Sequence, residues 1–369
     1  MIPKVVKLLY ITNGITGSGG LERVLSVKAS LLAEPYGYEV HILALNEPER
    51  QQPFFKFSDK IIRHNLKLGG NPLNYMLSYR NGIKIMVSQI QPDVISVCDD
   101  GLKGFFIPKI LGKKIPVVYE RHVSKLISLA DRQGLGKKAA ELQFTLMNRL
   151  AKGFDAFVVL TEGNKNEWKD LKNLVVIPNP LPFYPEASAP LTSKKVIAVG
   201  KYSHQKGFDL LLEAWAKLPQ HLNDWELHLY GKQDRLQTLT QQAEQLGVAG
   251  QVKFHGPDPE IEARFMESSV FVLSSRYEGF GMVIIEAMAC GLPVVSFDCP
   301  YGPSDIITDN EDGFLVANGD LDIFAKKLQL LLENQHLKTQ MGRSAKQNVQ
   351  RFLPQNVVPL WDSLFKKIL

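Results

Sequence analysis

Short apolar runs rich in β-branched residues alternate with segments of helical periodicity along most of this chain. Segments 21–34, 72–90 and 137–152 repeat their apolar residues at helical spacing between the runs of the first half. Alternation of this kind predicts α/β architecture, with parallel sheets covered by helices on both faces. The runs of the first half are VVKLLYIT, YEVHILAL, DVISVC, PVVYE, DAFVVL and NLVVIP, which begin at residues 5, 38, 93, 116, 155 and 173.

The proline-rich segment 178–193 interrupts this alternation. Its five prolines exclude a regular helix or a central strand, and we interpret it as a linker. After it, helical segments are predicted at 207–218, 232–246, 281–290 and 320–350. The apolar runs of this second half are KVIAVG, WELHLYG, QVKFHG, SVFVLS, LPVVSF and GFLV.

The chain of 369 residues is therefore predicted to form two Rossmann-like, doubly wound domains, residues 1–180 and 190–350. Residues 353–369 carry Trp361 and Phe365 at helical spacing, and we expect this terminal helix to pack back on the first domain. Two such domains facing each other would form a cleft, and ligands of these sheets bind beyond the carboxyl ends of the strands. The loops that follow the strands are therefore the candidate functional segments.

Composition narrows the class of protein. Hydrophobic residues make up 45% and charged residues 22%, with a net charge of +5, and no basic–aromatic motif suggests nucleic-acid binding. The three cysteines, Cys98, Cys290 and Cys299, show no metal-binding spacing and fit a reducing cytoplasm. The apolar segment 4–12 is interrupted by Lys7 and is too short to span a membrane, so we predict a soluble cytoplasmic protein without transmembrane helices.

Three loops carry the candidate chemistry. The first strand ends in a glycine-rich turn before a helix that begins near Leu21, a place where backbone N–H groups and the helix dipole favour anions. The first strand of the second domain ends at Gly200, followed by Lys201 and Lys206, whose ammonium groups suit a diphosphate, although two solvated lysines would look the same.

The third loop follows the run SVFVLS and contains Glu278, Phe280 and Gly281 before a helix. Further along that helix, Glu286 stands among apolar neighbours, where an ionised carboxylate is costly unless it is hydrogen-bonded. Two vicinal ribose hydroxyls would satisfy it, as would a buried structural ion pair.

Taken together, these motifs resemble the family-4 retaining glycosyltransferases of the GT-B fold, over nearly the whole chain. The matching segments are GGLERV at the first turn, GKYSHQKG at the start of the second domain, YEGFGMVIIEAMACGLPVV with the spacing E-x7-E, and YGPSDIITDNEDGFLV after it. The resemblance implies an enzyme of bacterial surface-polysaccharide biosynthesis that moves a hexosyl or N-acetylhexosaminyl group from a nucleotide-sugar, by default a UDP-sugar, to a glycan or lipid-linked acceptor.

The resemblance also implies roles for individual residues. Glu286 would bind the ribose hydroxyls, Glu278 and the Phe280–Gly281 backbone would face the transferred sugar, and Lys201 and Lys206 would hold the diphosphate without a metal ion or other cofactor. Lys201 stands where the family usually has arginine and lacks its bidentate fork. Gly19 and Gly20 would approach the phosphates from the first domain, and His122 would lie near the donor sugar. Further donor contacts implied by the resemblance are Gly200, Pro257 and Met282.

Two other features invite functional readings. Asp320 and Asp322 have the DxD spacing of a metal site, but N-capping of the following helix explains Asp320 better. Residues 103–152 contain eleven Lys/Arg and three Asp/Glu. With the apolar residues of 123–150, they suggest peripheral contact with an anionic membrane at the inner face of the cell membrane, or only a solvated face above a core helix. Apolar residues of that segment are Leu126, Ile127, Leu129, Leu135, Leu142, Phe144, Leu146, Met147 and Leu150.

Two alternatives to transfer remain open at the level of sequence. A nucleotide-sugar epimerase of the same fold would turn over the donor without an acceptor. A non-catalytic nucleotide-sugar-binding protein would bind the donor and release nothing from it.

Overall fold

The computed structural model of the chain describes residues 4–48, 51–112, 114–125 and 134–369. The chain divides into two compact units, Met1–Pro180 with Pro354–Leu369, and Leu181–Leu353. Each unit is built on one parallel sheet, and the two are described separately. No helix in the described ranges is both long enough and apolar enough to cross a membrane.

The first unit contains a seven-stranded sheet in the order β3-β2-β1-β4-β5-β6-β7. All its strand pairs are parallel, and the central strands are buried because helices cover both faces. The strands are β1 (Lys7–Thr12), β2 (Glu39–Leu45), β3 (Ile62–Leu66), β4 (Val94–Cys98), β5 (Val117–Glu120), β6 (Ala156–Val159) and β7 (Leu174–Val176).

Helices pack on both faces of this sheet. One core joins the sheet to helices α2, α3 and α4, and a second core joins it to α1. Short 3₁₀ helices, Leu102–Phe106 and Gly163–Trp168, complete the connections. Within the described residues, the α-helices between these strands are α1 (Gly20–Ala33), α2 (Pro72–Ile90), α3 (Ile107–Leu111) and α4 (Gly134–Ala151).

The second unit contains a six-stranded parallel sheet in the order β10-β9-β8-β11-β12-β13. Both sheets therefore run outward in two directions from their first strand, and their switch points lie between β1 and β4 and between β8 and β11. The strands are β8 (Lys195–Val199), β9 (Glu226–Tyr230), β10 (Val252–His255), β11 (Val270–Leu273), β12 (Val294–Asp298) and β13 (Gly313–Ala317).

Seven α-helices connect these strands or follow them within the described part of the second unit. Short 3₁₀ helices occur at Gln220–Leu222 and Val349–Phe352. The α-helices are α5 (Phe208–Trp215), α6 (Leu236–Gln245), α7 (Ile261–Met266), α8 (Met282–Ala289), α9 (Pro303–Ile306), α10 (Leu321–Glu333) and α11 (Gln335–Asn348).

The last helix, α12 (Pro354–Ile368), returns to the first unit. Its buried face places Val357, Trp361 and Phe365 in the same apolar core as helix α1. The chain thus closes the first unit with its C-terminal segment.

Local differences from the predicted elements have simple causes. The predicted helix 320–350 is wrong as a single element, because Asn334 ends α10 and caps α11 by accepting from the Leu337 backbone N–H. The predicted N-cap at Asp320 is confirmed, since its side chain accepts from the Ile323 N–H at 3.0 Å. Strand β3 was not predicted, because its residues are polar and partly exposed at the sheet edge.

Candidate active site

The loops after β8 and β11 lie next to each other at the switch point of the second sheet. Gly207, with a φ of +63°, ends the first loop, and a Cβ there would lie 2.1 Å from the Ser274 carbonyl oxygen. Only glycine permits this approach without strain. The Arg276 backbone N–H donates to the Gln205 carbonyl at 2.8 Å, so backbone contacts hold the two loops in register.

A bidentate ion pair fixes the same two loops from outside. The Arg276 guanidinium donates two hydrogen bonds of 2.8 Å to the Asp209 carboxylate in the first turn of α5. Burial raises the pKa of Asp209, but the guanidinium outweighs burial and lowers that pKa below its ordinary value. The ion pair therefore holds the loop that contains Arg276 against the first turn of α5.

Lys206 and Glu278 meet inside this double loop. Lys206 Nζ lies 2.7 Å from Glu278 Oε1, and the Ser275 hydroxyl donates to the same oxygen at 2.6 Å. The side chains are 18% and 6% exposed, so the pair is largely removed from water. Gly200 lies against the stem of Lys206, since a Cβ there would be 3.0 Å from Lys206 Cδ. The structure thus brings together three predicted site residues.

Lys201 takes a different direction from Lys206. Its side chain is exposed, and Nζ lies 2.7 Å from Asp234 Oδ2, whose pKa is lowered by the hydrogen bond from Lys201. Pro257, another predicted donor contact, is exposed in the segment after β10. The described contacts do not connect either residue with the Lys206–Glu278 pair.

Helix α8 begins directly after the Glu278 loop. Gly281, with a φ of +95°, caps it, and Met282 is its first residue. The Phe280 side chain packs edge-on against Phe352 with ring centroids 5.5 Å apart, and contact of the Phe280–Gly281 backbone with the transferred sugar stays a prediction. Glu286 lies one turn further along α8 and is only 3% exposed, as its apolar surroundings in the sequence indicated.

In the first unit, carboxylates lie against the glycine-rich turn. Gly19 caps α1 and Gly20 is its first residue. Glu47 Oε1 accepts from the Ile15 backbone N–H at 2.5 Å, and a Cβ at Gly19 would lie 2.6 Å from Glu22 Oε2. Burial, with the charge of Glu47, raises the pKa of Glu22 above its ordinary value. Phosphate contact at Gly19 and Gly20 stays a prediction.

His122 follows β5 and belongs to a buried polar cluster. Its Nε2 lies 3.2 Å from Glu120 Oε2, and Glu120 also contacts Lys28 Nζ and accepts from the Ser96 hydroxyl at 2.5 Å. Lys28 is 1% exposed and Glu120 is fully buried. Neither residue was among the predicted site residues. A signal existed for Lys28, because it falls on the apolar stripe of α1 between Leu25 and Leu32.

The donor atoms of Cys98, Glu120 and His122 lie within 4.8 Å of one another, a spacing that could hold a metal ion. The Lys28 ammonium contacts the same carboxylate, however, and a fixed positive charge disfavours a second cation there. The hydrogen bonds that Lys28 and His122 make with the Glu120 carboxylate explain the cluster better.

The basic region 103–152 divides between core and surface. Arg121 and Lys125 are buried, and Lys125 Nζ lies 3.6 Å from the centre of the Trp168 ring; burial lowers the pKa of Lys125 to about 8. Leu126, Ile127, Leu129 and the side chain of Leu135 lie outside the described residues. Core positions are taken by Phe144, Met147 and Leu150, whereas Leu142 and Leu146 are exposed. The exposed basic residues of the described part are Lys109, Lys114, Lys137, Lys138, Arg149 and Lys152.

Comparisons with known proteins cover nearly the whole chain. Residues 18–182 match the family model described as Glycosyltransferase Family 4, and residues 184–348 match Glycosyl transferases group 1. The chain is 28% identical over 368 residues to an uncharacterized glycosyltransferase of Haemophilus influenzae, covering 97% of this chain and 99% of that protein. It is 27% identical over 372 residues to the amylovoran biosynthesis glycosyltransferase AmsD of Erwinia amylovora, with coverage of 97% and 99%.

Among solved structures, the fold is similar to that of Staphylococcus aureus TarM in complex with fondaparinux, α-GlcNAc-glycerol and UDP. The TM-score is 0.80 at 16% identity, and the match covers 98% of this chain and 100% of TarM. At this level of identity the likeness concerns the arrangement of helices and strands.

Proposed function

Because this chain belongs to glycosyltransferase family 4, we propose that it transfers a hexosyl or N-acetylhexosaminyl group from a UDP-sugar to a glycan or lipid-linked acceptor with retention of configuration. The predicted GT-B fold and glycosyltransferase activity are confirmed by these likenesses. AmsD is named for amylovoran biosynthesis, and TarM was solved with UDP. Both facts support a role in polysaccharide biosynthesis and a uridine nucleotide as the leaving group.

The observation that carries the donor site is the Lys206–Glu278 pair at the switch point of the second sheet. An ammonium group and a carboxylate 2.7 Å apart there offer one cation for a diphosphate and one acceptor for sugar hydroxyls. Ligands of doubly wound sheets bind at this point. The buried Glu286, on the helix that begins beside the pair, supplies the proposed acceptor for the ribose hydroxyls.

Fixed charge at the diphosphate is the proposed source of rate enhancement. Cleavage of the sugar–phosphate bond develops negative charge on the leaving diphosphate, and Lys206 with the N-terminus of α8 would stabilise that charge as it forms. Lys201 would join them after exchanging Asp234 for a phosphate oxygen. Loss of one such preorganised donor costs about 3 kcal/mol of barrier height.

Retention of configuration admits two routes. A covalent route needs a carboxylate nucleophile at the anomeric carbon. Glu278 Oε1 already accepts from both Ser275 and Lys206, an arrangement that favours sugar binding over attack. We therefore favour front-face displacement, in which the acceptor hydroxyl attacks as the leaving β-phosphate oxygen takes its proton.

A nucleotide screen tests the donor site directly. Thermal unfolding of the full chain is measured in the presence of UDP, GDP, UDP-sugars or GDP-sugars. A ligand at a free concentration of 100 times its Kd adds about 2.7 kcal/mol to the free energy of unfolding. We expect UDP and UDP-sugars to raise the Tm, and Glu286→Ala to abolish the increase. Stabilisation by GDP-sugars alone would overturn the choice of uridine. Donor turnover without any acceptor would favour an epimerase, and binding with no release of UDP in any acceptor mixture would favour a non-catalytic binder.

A contact with an anionic membrane through the first unit is the second part of the proposal. Lys138, Leu142, Leu146 and Arg149 are exposed along α4 at spacings of three or four residues, which places basic and apolar groups on one face. Helix α2 packs on the same side of the sheet as α4 and exposes Leu73, Met76 and Leu77. Co-sedimentation with vesicles of anionic lipid should exceed that with neutral vesicles and fall in the Leu142→Ser/Leu146→Ser variant; equal partitioning would contradict the contact.

A further inference from the structure

The buried carboxylate of Glu120 in the first unit is contacted by several polar side chains. It lies at the carboxyl end of β5, is fully buried, and receives hydrogen bonds from the Ser96 hydroxyl, the Lys28 ammonium and His122 Nε2. Burial raises its pKa, but Lys28 and His122 outweigh burial and lower the pKa to about 2. Glu120 is therefore an ionised acceptor at neutral pH.

An ionised Glu120 determines the tautomer of its neighbour. A carboxylate can only accept, so the 3.2 Å contact between His122 Nε2 and Glu120 Oε2 requires the proton on Nε2. In a neutral imidazole, Nδ1 then carries the lone pair. Within the described residues, His122 Nδ1 is buried and has no hydrogen-bond partner. A buried acceptor left without a donor costs about 1–3 kcal/mol of stability. Such unpaired buried groups are unusual in folded proteins.

We propose that Glu120 is a positioning residue, which holds His122 as the Nε2–H tautomer so that Nδ1 accepts a hydrogen bond from a hydroxyl of bound substrate. The inference rests on the proposed function, because it assigns that hydroxyl to the sugar nucleotide or its acceptor. His122 lies two residues beyond Glu120, the last residue of β5, at the carboxyl edge of the sheet, where ligands of such sheets bind.

The cost of burying Glu120 argues for a role beyond stability. Two buried ions are expensive to desolvate, and apolar replacements of similar volume are often as stable or more stable. Here Lys28 neutralises Glu120, and the Trp361 ring lies 3.9 Å from Lys28 Nζ. The Lys28 ammonium, the Ser96 hydroxyl and His122 Nε2 thus converge on one carboxylate, and the Trp361 indole covers the ammonium.

The test reads the tautomer in the free protein, independently of activity. Long-range ¹H–¹⁵N spectra of the full chain, labelled with ¹⁵N-histidine, distinguish protonated from unprotonated imidazole nitrogens, and His122→Gln identifies the His122 signals. The main variant is K28M/E120M, which removes both charges together and leaves no unpaired buried ion. Its matched control is K28M/E120Q, which keeps an amide oxygen able to accept from Nε2. His41, whose Nε2 lies 2.9 Å from Glu39 Oε1, serves as an internal reference that neither variant should move.

We expect wild-type His122 to show Nε2–H alone, K28M/E120M to lose that single form, and K28M/E120Q to restore it. With an identified donor, kcat should fall about tenfold or more in K28M/E120M while the donor KM changes little, and K28M/E120Q should recover most of the activity. Saturating donor or acceptor should shift the Nδ1 resonance in the wild type.

Each failure has a distinct meaning. An unchanged Nε2–H tautomer in K28M/E120M would overturn the positioning role of Glu120, whatever the activity. A Nδ1 resonance that neither substrate moves would overturn its role as an acceptor. If His122→Gln keeps full kcat while UDP still binds, His122 leaves the mechanism, but the proposed glycosyltransferase function stands.

Discussion

Lys206 and Glu278 satisfy each other's charge in a place that is mostly closed to water. A lysine stem packed against Gly200 and a carboxylate held by Ser275 cannot reorient freely, so the ammonium is preorganised for a developing diphosphate charge. Lys206 differs in this from the exposed Lys201, although the family resemblance implied that both lysines hold the diphosphate.

Replacing Lys206 with alanine should therefore depress kcat/KM at least tenfold, or about 1.4 kcal/mol of transition-state stabilisation. Steady-state kinetics with the donor identified in the nucleotide screen measure this effect. Lys232→Ala is the matched control, because Lys232 is 69% exposed and lies 3.9 Å from Asp234. Equal kinetics for Lys206→Ala and Lys232→Ala would remove Lys206 from the site.

Replacing Glu286 with alanine should raise the donor KM sharply and leave the fold intact. The proposed ribose contact is uniform binding, present in the ground state and the transition state alike, so its loss appears in KM rather than in kcat. Kinetics and circular dichroism check the two parts, with Glu244→Ala on the exposed face of α6 as control. A donor KM like that of the wild type would exclude the ribose role.

At the residue level, the sequence predicted which side chains are buried better than it predicted which side chains contact each other. Burial of Glu286 followed from its apolar neighbours, but the pairing of Lys28 with Glu120 depends on two segments 92 positions apart meeting across a sheet. Neither local spacing nor composition encodes such a contact. It becomes visible only when the sheet order places β5 beside β4, with α1 packed above both.

At the level of elements, the two sheets repeat one arrangement of side chains. In the first, His41 on β2 bonds His64 on β3 at 2.8 Å and Glu39 at 2.9 Å. In the second, His228 on β9 bonds His255 on β10 at 3.1 Å and Glu226 at 3.1 Å. Each pair stacks nearly parallel, with ring centroids 5.2 Å apart. If both imidazoles of one pair were protonated, two cations would be in contact.

These pairs predict a loss of stability in mild acid. Burial, and then the neighbouring imidazole, lower the pKa values of His64 and His255 below the ordinary 6.5. The unfolded chain therefore binds more protons than the folded one just below pH 6.5, and the free energy of unfolding falls as the pH drops through that value. Urea titrations between pH 7.5 and 5.5 measure this slope, and the double variant His64→Gln/His255→Gln should flatten it. An identical slope in that variant would show that other groups cause the acid sensitivity.

The sequence predicted buried elements well and edge elements poorly. The central strands appear as continuous apolar runs because helices cover both of their faces. Strand β3 has polar residues along an exposed edge, and helices α3, α7 and α9 are too short for a periodic signal. The break between α10 and α11 depends on one capping residue, Asn334, within an otherwise helical pattern.

At the scale of the whole molecule, the first unit is built from two segments that are far apart in the sequence. The chain passes from the first unit into the second and returns through α12, so the first unit is completed only by the last residues. The buried face of α12 joins the core that contains α1 and β1, and its Trp361 ring covers the Lys28 ammonium. The proposed donor residues, in contrast, lie between residues 200 and 286 in the second unit, which has an apolar core of its own.

This division predicts that damage to α12 stays within the first unit. Trp361 is 2% exposed, and truncation of a buried tryptophan costs about 3–5 kcal/mol. Trp361→Ala should therefore speed amide hydrogen exchange in peptides of β1, α1 and α12, while peptides of β8, β11 and α8 keep wild-type rates.

Leu360→Ala is the matched control, since its side chain is 45% exposed on the same helix and its loss should cost less than about 0.5 kcal/mol. Faster exchange in both units would mean that they unfold as one cooperative body, and equal effects of the two variants would mean that burial of the α12 face does not hold the first unit together.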